Sequence, residues 1–276
     1  MTPETINVIV GDRSAAQGCW QLASPVSLAA TIAFDGTGAR WFDTAPAHSW
    51  PHRVGDFSGS VFTGASCNCR TVEITPHGAG THTESVGHLT ADEHHVIGVL
   101  PPGLLPSLLL RVNTAAVAAT RESSDYPPQT HDLLITAASV IAAWPERLPF
   151  APSALVLATP ARQPTPAYLT RECAHELVSR GIRHLVVDLP SLDRCADNGA
   201  LTAHRIFFGL PSRGTQSTLP ISRDALRGDC TVTELASIPE TLAAGPGFLQ
   251  IQAPAWNGDA IPSRPLWFAL SSASRT

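Results

Sequence analysis

The feature that most constrains this chain is a dense run of ligand-type side chains in the thirteen-residue segment Pro76–His88. It carries three histidines, His77, His82 and His88, and one carboxylate, Glu84. If this part of the chain is extended, the side chains of His82 and Glu84 point to one face about 7 Å apart, close enough to bind one ion. The segment therefore predicts a divalent metal site.

His77 has the wrong alternation to share that face of a strand. Gly78 and Gly80 follow it and can adopt backbone angles that other residues avoid, so the chain can fold back and bring His77 to the same ion. Imidazole and carboxylate ligands without cysteine favour zinc, manganese or iron(II) over a structural thiolate zinc site. Spacing alone leaves a second interpretation open, in which these histidines are ordinary loop residues near glycine and proline.

The segment resembles the signature His-x-Gly-Thr-His-x-Asp-x-Pro-x-His of the cyclase-like metal-dependent hydrolase family, which includes bacterial kynurenine formamidase and isatin hydrolase. Gly80–His82 and His88 match that signature in register. The remainder resembles a divergent subgroup with the pattern Pro-His-x-x-Gly-Thr-His-Thr-Glu-x-x-Gly-His.

Three positions depart from the family signature. The first histidine of the signature falls on Gly78, with His77 one residue earlier, while its aspartate is Glu84 and its proline is Val86. These departures put the ligand set in question, and above all whether His77 takes the place of the missing first histidine.

The resemblance continues in family order along nearly the whole chain. The segments that carry it are Trp41-Phe42, Gly55–Phe57, Gly59–Val61, Asp188–Asp193, Leu201–His204, Thr231–Leu235 and Gly258–Pro265. It implies an α/β protein with a mixed sheet that contains a βαβ unit, in the swivelling β/β/α cyclase-like fold.

The resemblance also implies a ligand set and a catalytic residue. The expected ligands of a Zn²⁺ or Mn²⁺ ion are His82, Glu84, His77, His204 and Glu234, and His88 is expected to be the general base and then the general acid. From the residues alone, the preferred interpretation of His204 is a surface residue of a helix over 201–208. Glu234 is more telling, because a carboxylate inside a half-apolar strand needs a partner if it is buried.

Composition agrees with one compact enzyme domain over residues 1–276. With 276 residues and 43% hydrophobic content, the chain can bury a large core. A net charge of −5 without a basic patch argues against nucleic-acid binding. The chain contains no lysine, which excludes Schiff-base chemistry and a Walker-type phosphate loop.

No segment predicts export or membrane insertion. The N-terminal residues lack a positive region followed by an apolar run. The apolar run over 108–119 is interrupted by Arg111 and Asn113, so it is not a membrane span. We therefore expect a cytoplasmic protein.

Periodicity and capping residues predict a mixture of strands and helices. Thr136 is placed to cap a helix that ends before Pro145, and Gly181 is placed to end a second one. The predicted strands are Leu133–Ile135, Ala154–Ala158, His184–Asp188, Val232–Ile238 and Phe248–Ala253, and the second helix is Thr170–Arg180. The succession strand, helix, strand over 154–188 predicts a βαβ unit with parallel strands.

Three functions remain open at this stage. The first is metal-dependent hydrolysis of a non-peptide carbon–nitrogen bond or a lactone in a small, aromatic metabolite, which is arylformamidase-like chemistry. The second is cyclisation or lyase chemistry of secondary metabolism on the same scaffold, and the third is a non-catalytic binding protein with a degraded site. The resemblance also implies a homodimer or a higher homo-oligomer.

Overall fold

The computed structural model describes residues 7–10, 18–160, 165–213 and 220–270, with backbone alone for residues 7–10, 18 and 19. The strands are β1 (Asn7–Val10), β2 (Gly18–Gln21), β3 (Val26–Ser27), β4 (His48–Pro51), β5 (Arg53–Val54), β6 (Phe57–Ser58), β7 (Arg70–Glu73), β8 (His82–Glu84), β9 (Leu105–Arg111), β10 (Ala115–Ala116), β11 (Leu133–Ile135), β12 (Ala154–Ala158), β13 (Tyr168–Leu169), β14 (His184–Val187), β15 (Thr231–Glu234), β16 (Gly245–Gln252), β17 (Ala260–Pro262) and β18 (Arg264–Ala269).

Helices are short and few within the described ranges. The α-helices are α1 (Pro76–Ala79), α2 (Val96–Val99), α3 (Ala137–Ala143), α4 (Arg171–Ser179) and α5 (Thr202–Phe208). Turns of 3₁₀-helix lie at Val61–Thr63, Val86–Leu89, Val117–Ala119 and Ser222–Asp224. No described helix is both long and apolar enough to cross a membrane.

One mixed sheet organises the described part of the chain. Its nine strands run in the order β17-β8-β15-β14-β12-β9-β16-β18-β3. The central strands β15, β14, β12 and β9 are parallel, and the outer strands pair antiparallel. Strands β12 and β14 are parallel neighbours joined through α4, so the predicted βαβ unit and the mixed α/β sheet are confirmed.

Both faces of the central strands are covered, as parallel strands require. All five residues of β12 are buried. Leu155 and Leu157 belong to the core cluster that includes the inner faces of α4 and α5, whereas Ala154 and Val156 belong to a second cluster on the other face. The near-continuous apolar run of this strand follows from burial on two sides.

Local signals placed the helices well. The Thr136 side chain accepts a hydrogen bond from the Ser139 amide and forms a capping box at the start of α3. Thr170 caps α4 in the same way, through the Cys173 amide. The strand expected over 232–238 is shorter, because β15 ends at Glu234 and Leu235 turns the chain with a φ of 54°.

One buried histidine predicts acid sensitivity of this fold. His184 lies at the start of β14 beside Thr231, and burial together with the charges of Arg183 and Arg227 lowers its pKa from 6.5 to about 4. Between pH 6.5 and about 4, His184 is protonated in the unfolded chain but neutral in the folded chain. The free energy of unfolding therefore falls as the pH drops through this range. We expect this residue to cost about 2 kcal/mol of unfolding free energy between pH 7 and pH 5.

Urea unfolding of the wild type and of His184→Gln at both pH values measures this contribution. The variant should lose less stability on acidification than the wild type does. Equal losses in the two proteins would contradict the assignment.

Candidate metal centre

The centre is built on the pairing of β8 with β15. Their antiparallel register sets His82 opposite Glu234, so that both side chains lie on one face of the sheet. His82 Nε2 lies 3.6 Å from Glu234 Oε2, and both side chains are buried. Glu84, two residues along β8, points to the same face and is fully buried.

Helix α5 brings His204 to the same place. Its side chain is buried, and its Nε2 lies 2.9 Å from Glu84 Oε1 and 3.2 Å from Glu234 Oε1. The helix-surface interpretation of His204 is therefore wrong. Glu234 also accepts a hydrogen bond from the Leu192 amide at 2.9 Å, which ties the loop before α5 to the end of β15.

His77 reaches the cluster through the short helix α1. Its Nδ1 lies 3.2 Å from Glu84 Oε2. The next residue, Gly78, packs so closely that a Cβ would clash with the side chain of Thr44 and the carbonyl of Trp41. A histidine at position 78 would not fit this backbone, and His77 occupies the space beside Glu84 instead.

His88 and Asp259 lie on the more open side. His88 belongs to the 3₁₀ turn Val86–Leu89, its ring centroid is 4.3 Å from that of His77, and its side chain is 29% exposed. Asp259 Oδ2 lies 3.0 Å from His77 Nε2 and 3.8 Å from His88 Nδ1. Asp259 was not singled out from the sequence.

Hydrogen bonds outside the cluster orient two of the imidazoles. His82 Nδ1 donates to the Gly80 carbonyl at 3.0 Å, and His204 Nδ1 donates to Asp193 Oδ2 at 2.7 Å. Both rings therefore turn Nε2 towards the cluster, which is the orientation that metal-ligating histidines adopt. Asp193 also accepts from the Ala203 and His204 amides, so one carboxylate caps α5 and sets the ring.

The buried atoms of this cluster face one another and have no hydrogen-bond partner outside it. His82 Nε2, His204 Nε2 and both carboxylate oxygens of Glu84 are buried, and their short contacts are with other side chains of the cluster, such as the 2.9 Å contact of His204 Nε2 with Glu84 Oε1. Ligand atoms of His82, Glu84 and Glu234 all lie within 4.8 Å of one another, as do those of His77, Glu84 and His88. These nitrogen and oxygen donors fit a divalent cation such as Zn²⁺ or Mn²⁺.

The pKa shifts in the cluster favour charged imidazoles beside ionised carboxylates. Burial opposes ionisation of Glu84, but the charges of His88 and His204 outweigh it and lower its pKa well below 4.5. Burial also opposes a charged His204, yet the charge of Glu84 raises its pKa well above 6.5. The hydrogen bond to Asp259 and the charge of Glu84 overcome burial and raise the pKa of His77 to about 10. A divalent cation would displace these protons.

Comparison with known proteins identifies the family of this chain. A family model described as "Putative cyclase" matches residues 20–194, which is more than half of the chain. The chain belongs to the cyclase family. No curated protein matches it.

Solved structures share the fold of this cyclase-family chain. Isatin hydrolase A from Labrenzia aggregata superposes with a TM-score of 0.59 at 16% identity, covering 90% of this chain and 94% of that one. A protein described as a predicted metal-dependent hydrolase from Bacillus stearothermophilus has a TM-score of 0.55 at 14% identity, covering 89% and 98%. Isatin hydrolase A from Ralstonia solanacearum gives 0.53 at 14% identity, covering 89% and 91%. The expected family and its fold are thereby confirmed.

All six residues expected at the site lie in this one cluster, and their roles as ligands or catalyst stay predictions. Sequence reasoning missed Asp193 and Asp259. Both lie in segments that resemble the family, but neither has a spacing to the histidines that indicates a contact. His77 and Asp259 are separated by 182 positions in the chain.

We expect Glu84→Gln to weaken metal binding more than the roughly 10- to 100-fold that loss of an outer hydrogen-bond partner costs. The reason is that Glu84 is the one carboxylate common to both groups of ligand atoms. Isothermal titration of metal-free protein with Zn²⁺ and Mn²⁺ measures the effect. Glu93→Gln is the matched control, since its side chain is 88% exposed. Equal affinities of Glu84→Gln and the wild type would rule out Glu84 as a ligand.

Proposed function

We propose that this cyclase-family protein is a metal-dependent hydrolase of a formamide, a cyclic amide or a lactone in a small, aromatic metabolite. The observation that carries the proposal is a set of buried imidazole and carboxylate atoms with no hydrogen-bond partner outside the cluster, beside a partly exposed histidine. Burying such a set costs folding free energy, which a bound cation would offset. The partly exposed His88 marks the side from which a substrate would reach that cation.

In this proposal the chain divides binding from proton transfer. The metal is held by His82, Glu84, His204, Glu234 and His77. When bound, Zn²⁺ or Mn²⁺ lowers the pKa of a coordinated water to about 7 and polarises a carbonyl oxygen.

His88 is the proposed general base and acid. It lies on the open side of the cluster, where its ring stacks beside that of His77 and its centroid is 5.8 Å from that of His204. The turn that carries it is capped by Ser85, whose hydroxyl accepts a hydrogen bond from the Gly87 amide. From this position His88 takes a proton from the attacking water and donates it to the leaving nitrogen or oxygen.

The substrate class rests on the relatives. Two of the proteins that share this fold are isatin hydrolases. Isatin is a cyclic amide. Formamides and lactones likewise present an acyl carbon, bonded to a nitrogen or oxygen leaving group, to an attacking water. The family description "cyclase" favours ring closure or lyase chemistry as the alternative, in which water is not the nucleophile.

Incubation of the metal-loaded protein with isatin, N-formylkynurenine and simple lactones in ¹⁸O-labelled water tests the proposal. Hydrolysis predicts turnover of at least one substrate with label in the new carboxylate. His88→Asn should lower kcat by about 10²- to 10⁴-fold with metal affinity unchanged.

His131→Asn is the matched control, because the His131 side chain is 65% exposed. It should keep full activity. Product without label would favour the cyclase or lyase alternative, and turnover by His88→Asn at the wild-type rate would remove His88 from the mechanism.

We also propose that the protein is a homo-oligomer. Ten large hydrophobic side chains in the described ranges are exposed, and six of them fall within residues 42–72: Phe42, Trp50, Val54, Val61, Phe62 and Val72. Phe62 is 99% exposed. A concentration of exposed apolar side chains of this kind is typical of a protein interface.

Light scattering coupled to size-exclusion chromatography should show a dimer or larger species for the wild type. Phe62→Ser should shift the population towards monomer, because it removes an apolar contact from the interface. Leu226→Ser, which changes a side chain that is 90% exposed outside this segment, is the control and should leave the mass unchanged. A monomeric wild type at micromolar concentration would contradict the proposal.

A further inference from the structure

His77 contacts carboxylates with both ring nitrogens. Its Nδ1 faces Glu84 Oε2 at 3.2 Å, and its Nε2 faces Asp259 Oδ2 at 3.0 Å. An imidazole that binds a metal through Nδ1 keeps its proton on Nε2 and donates it to an acceptor outside the site. Asp259 Oδ2, at 3.0 Å from His77 Nε2, is positioned to be that acceptor.

The backbone at Asp259 is held firmly in place. It directly precedes β17, whose first residue, Ala260, pairs with Glu84. The Asp259 carbonyl accepts a hydrogen bond from the Ser85 amide at 2.9 Å. The strand that carries Glu84 therefore also fixes the position of Asp259.

The same arrangement occurs twice more in the cluster. His82 and His204 each turn one nitrogen to the cluster and donate from the other to an oxygen, the Gly80 carbonyl and the Asp193 carboxylate. Outer acceptors of this type set the tautomer and the orientation of a metal-binding imidazole. His77 is the third imidazole with such an acceptor, with the roles of its two nitrogens exchanged.

We propose that Asp259 is the positioning residue that holds His77 as an Nδ1 ligand. This inference rests on the proposed metal-dependent function. Because Gly78 leaves no room for a side chain, the imidazole comes from His77, one position earlier in α1. It faces Glu84 with Nδ1, whereas His82 and His204 face the cluster with Nε2. Asp259, which directly precedes β17, holds the ring in that orientation.

Titration of metal-free protein with Zn²⁺ and Mn²⁺ alone tests the inference in the full-length chain. Asp259→Ala should weaken binding by about 10- to 100-fold, because the ring loses its acceptor. Asp259→Asn should retain most of the affinity, since its amide oxygen still accepts from Nε2. His77→Ala should lose at least as much affinity as Asp259→Ala, and the double variant should lose no more than His77→Ala, because the two residues act as a unit.

Asp92→Ala is the matched control. Asp92 lines the same cavity of about 280 Å³ as Asp259, but its carboxylate accepts from Ser222 instead. Its metal affinity should equal that of the wild type. Thermal unfolding of each variant shows that it is folded before it is titrated.

Each contrary result has its own meaning. A wild-type chain that binds neither ion would overturn the proposed function and this inference with it. A wild type that binds while Asp259→Ala binds equally well would overturn this inference alone. So would an Asp259→Asn loss as large as that of Asp259→Ala, which would make Asp259 a direct ligand, or a double variant weaker than His77→Ala.

Discussion

The structure depends on the burial of two carboxylates, Glu84 and Glu234, side by side in the interior of a sheet. Removing a charged carboxylate from water costs several kcal/mol, and two of them also repel each other. Imidazoles from β8, α1 and α5 surround the pair, and those of α1 and α5, His77 and His204, have raised pKa values that favour a positive charge. Positive charge in the cluster, from protons or from a cation, therefore offsets the cost of the strand pairing that brings these groups together.

Orientation of the imidazoles is as important as their presence. Asp193 accepts hydrogen bonds from two amides in the first turn of α5 and from His204 Nδ1. The same carboxylate therefore stabilises the start of the helix and orients the ring. The Gly80 carbonyl performs the second function for His82. These contacts fix the rings before any ligand arrives, and preorganisation of this kind is what makes a site bind one ion tightly.

The structure accounts for two of the three departures from the family signature, those at positions 78 and 84. Gly78 lies against Thr44 and Trp41, so position 78 has no space for an imidazole. The neighbouring His77 supplies one instead, and it faces Glu84 with Nδ1. Glu84 carries one more methylene than aspartate and reaches His77 and His204 from the last position of β8. The altered residues therefore form one consistent arrangement, which argues against a degraded site.

The sequence by itself determined what local rules decide. Alternation along β8 put His82 and Glu84 on one face, the threonines at 136 and 170 began their helices, and the apolar run at β12 indicated a strand covered on both sides. Only the tertiary structure decided which distant groups join them, because the register of β8 on β15 pairs residues about 150 positions apart and no local period encodes such a contact. The end of β15 at Leu235, the inward face of His204 and the contacts of Asp193 and Asp259 all follow from packing between elements that are remote in the chain.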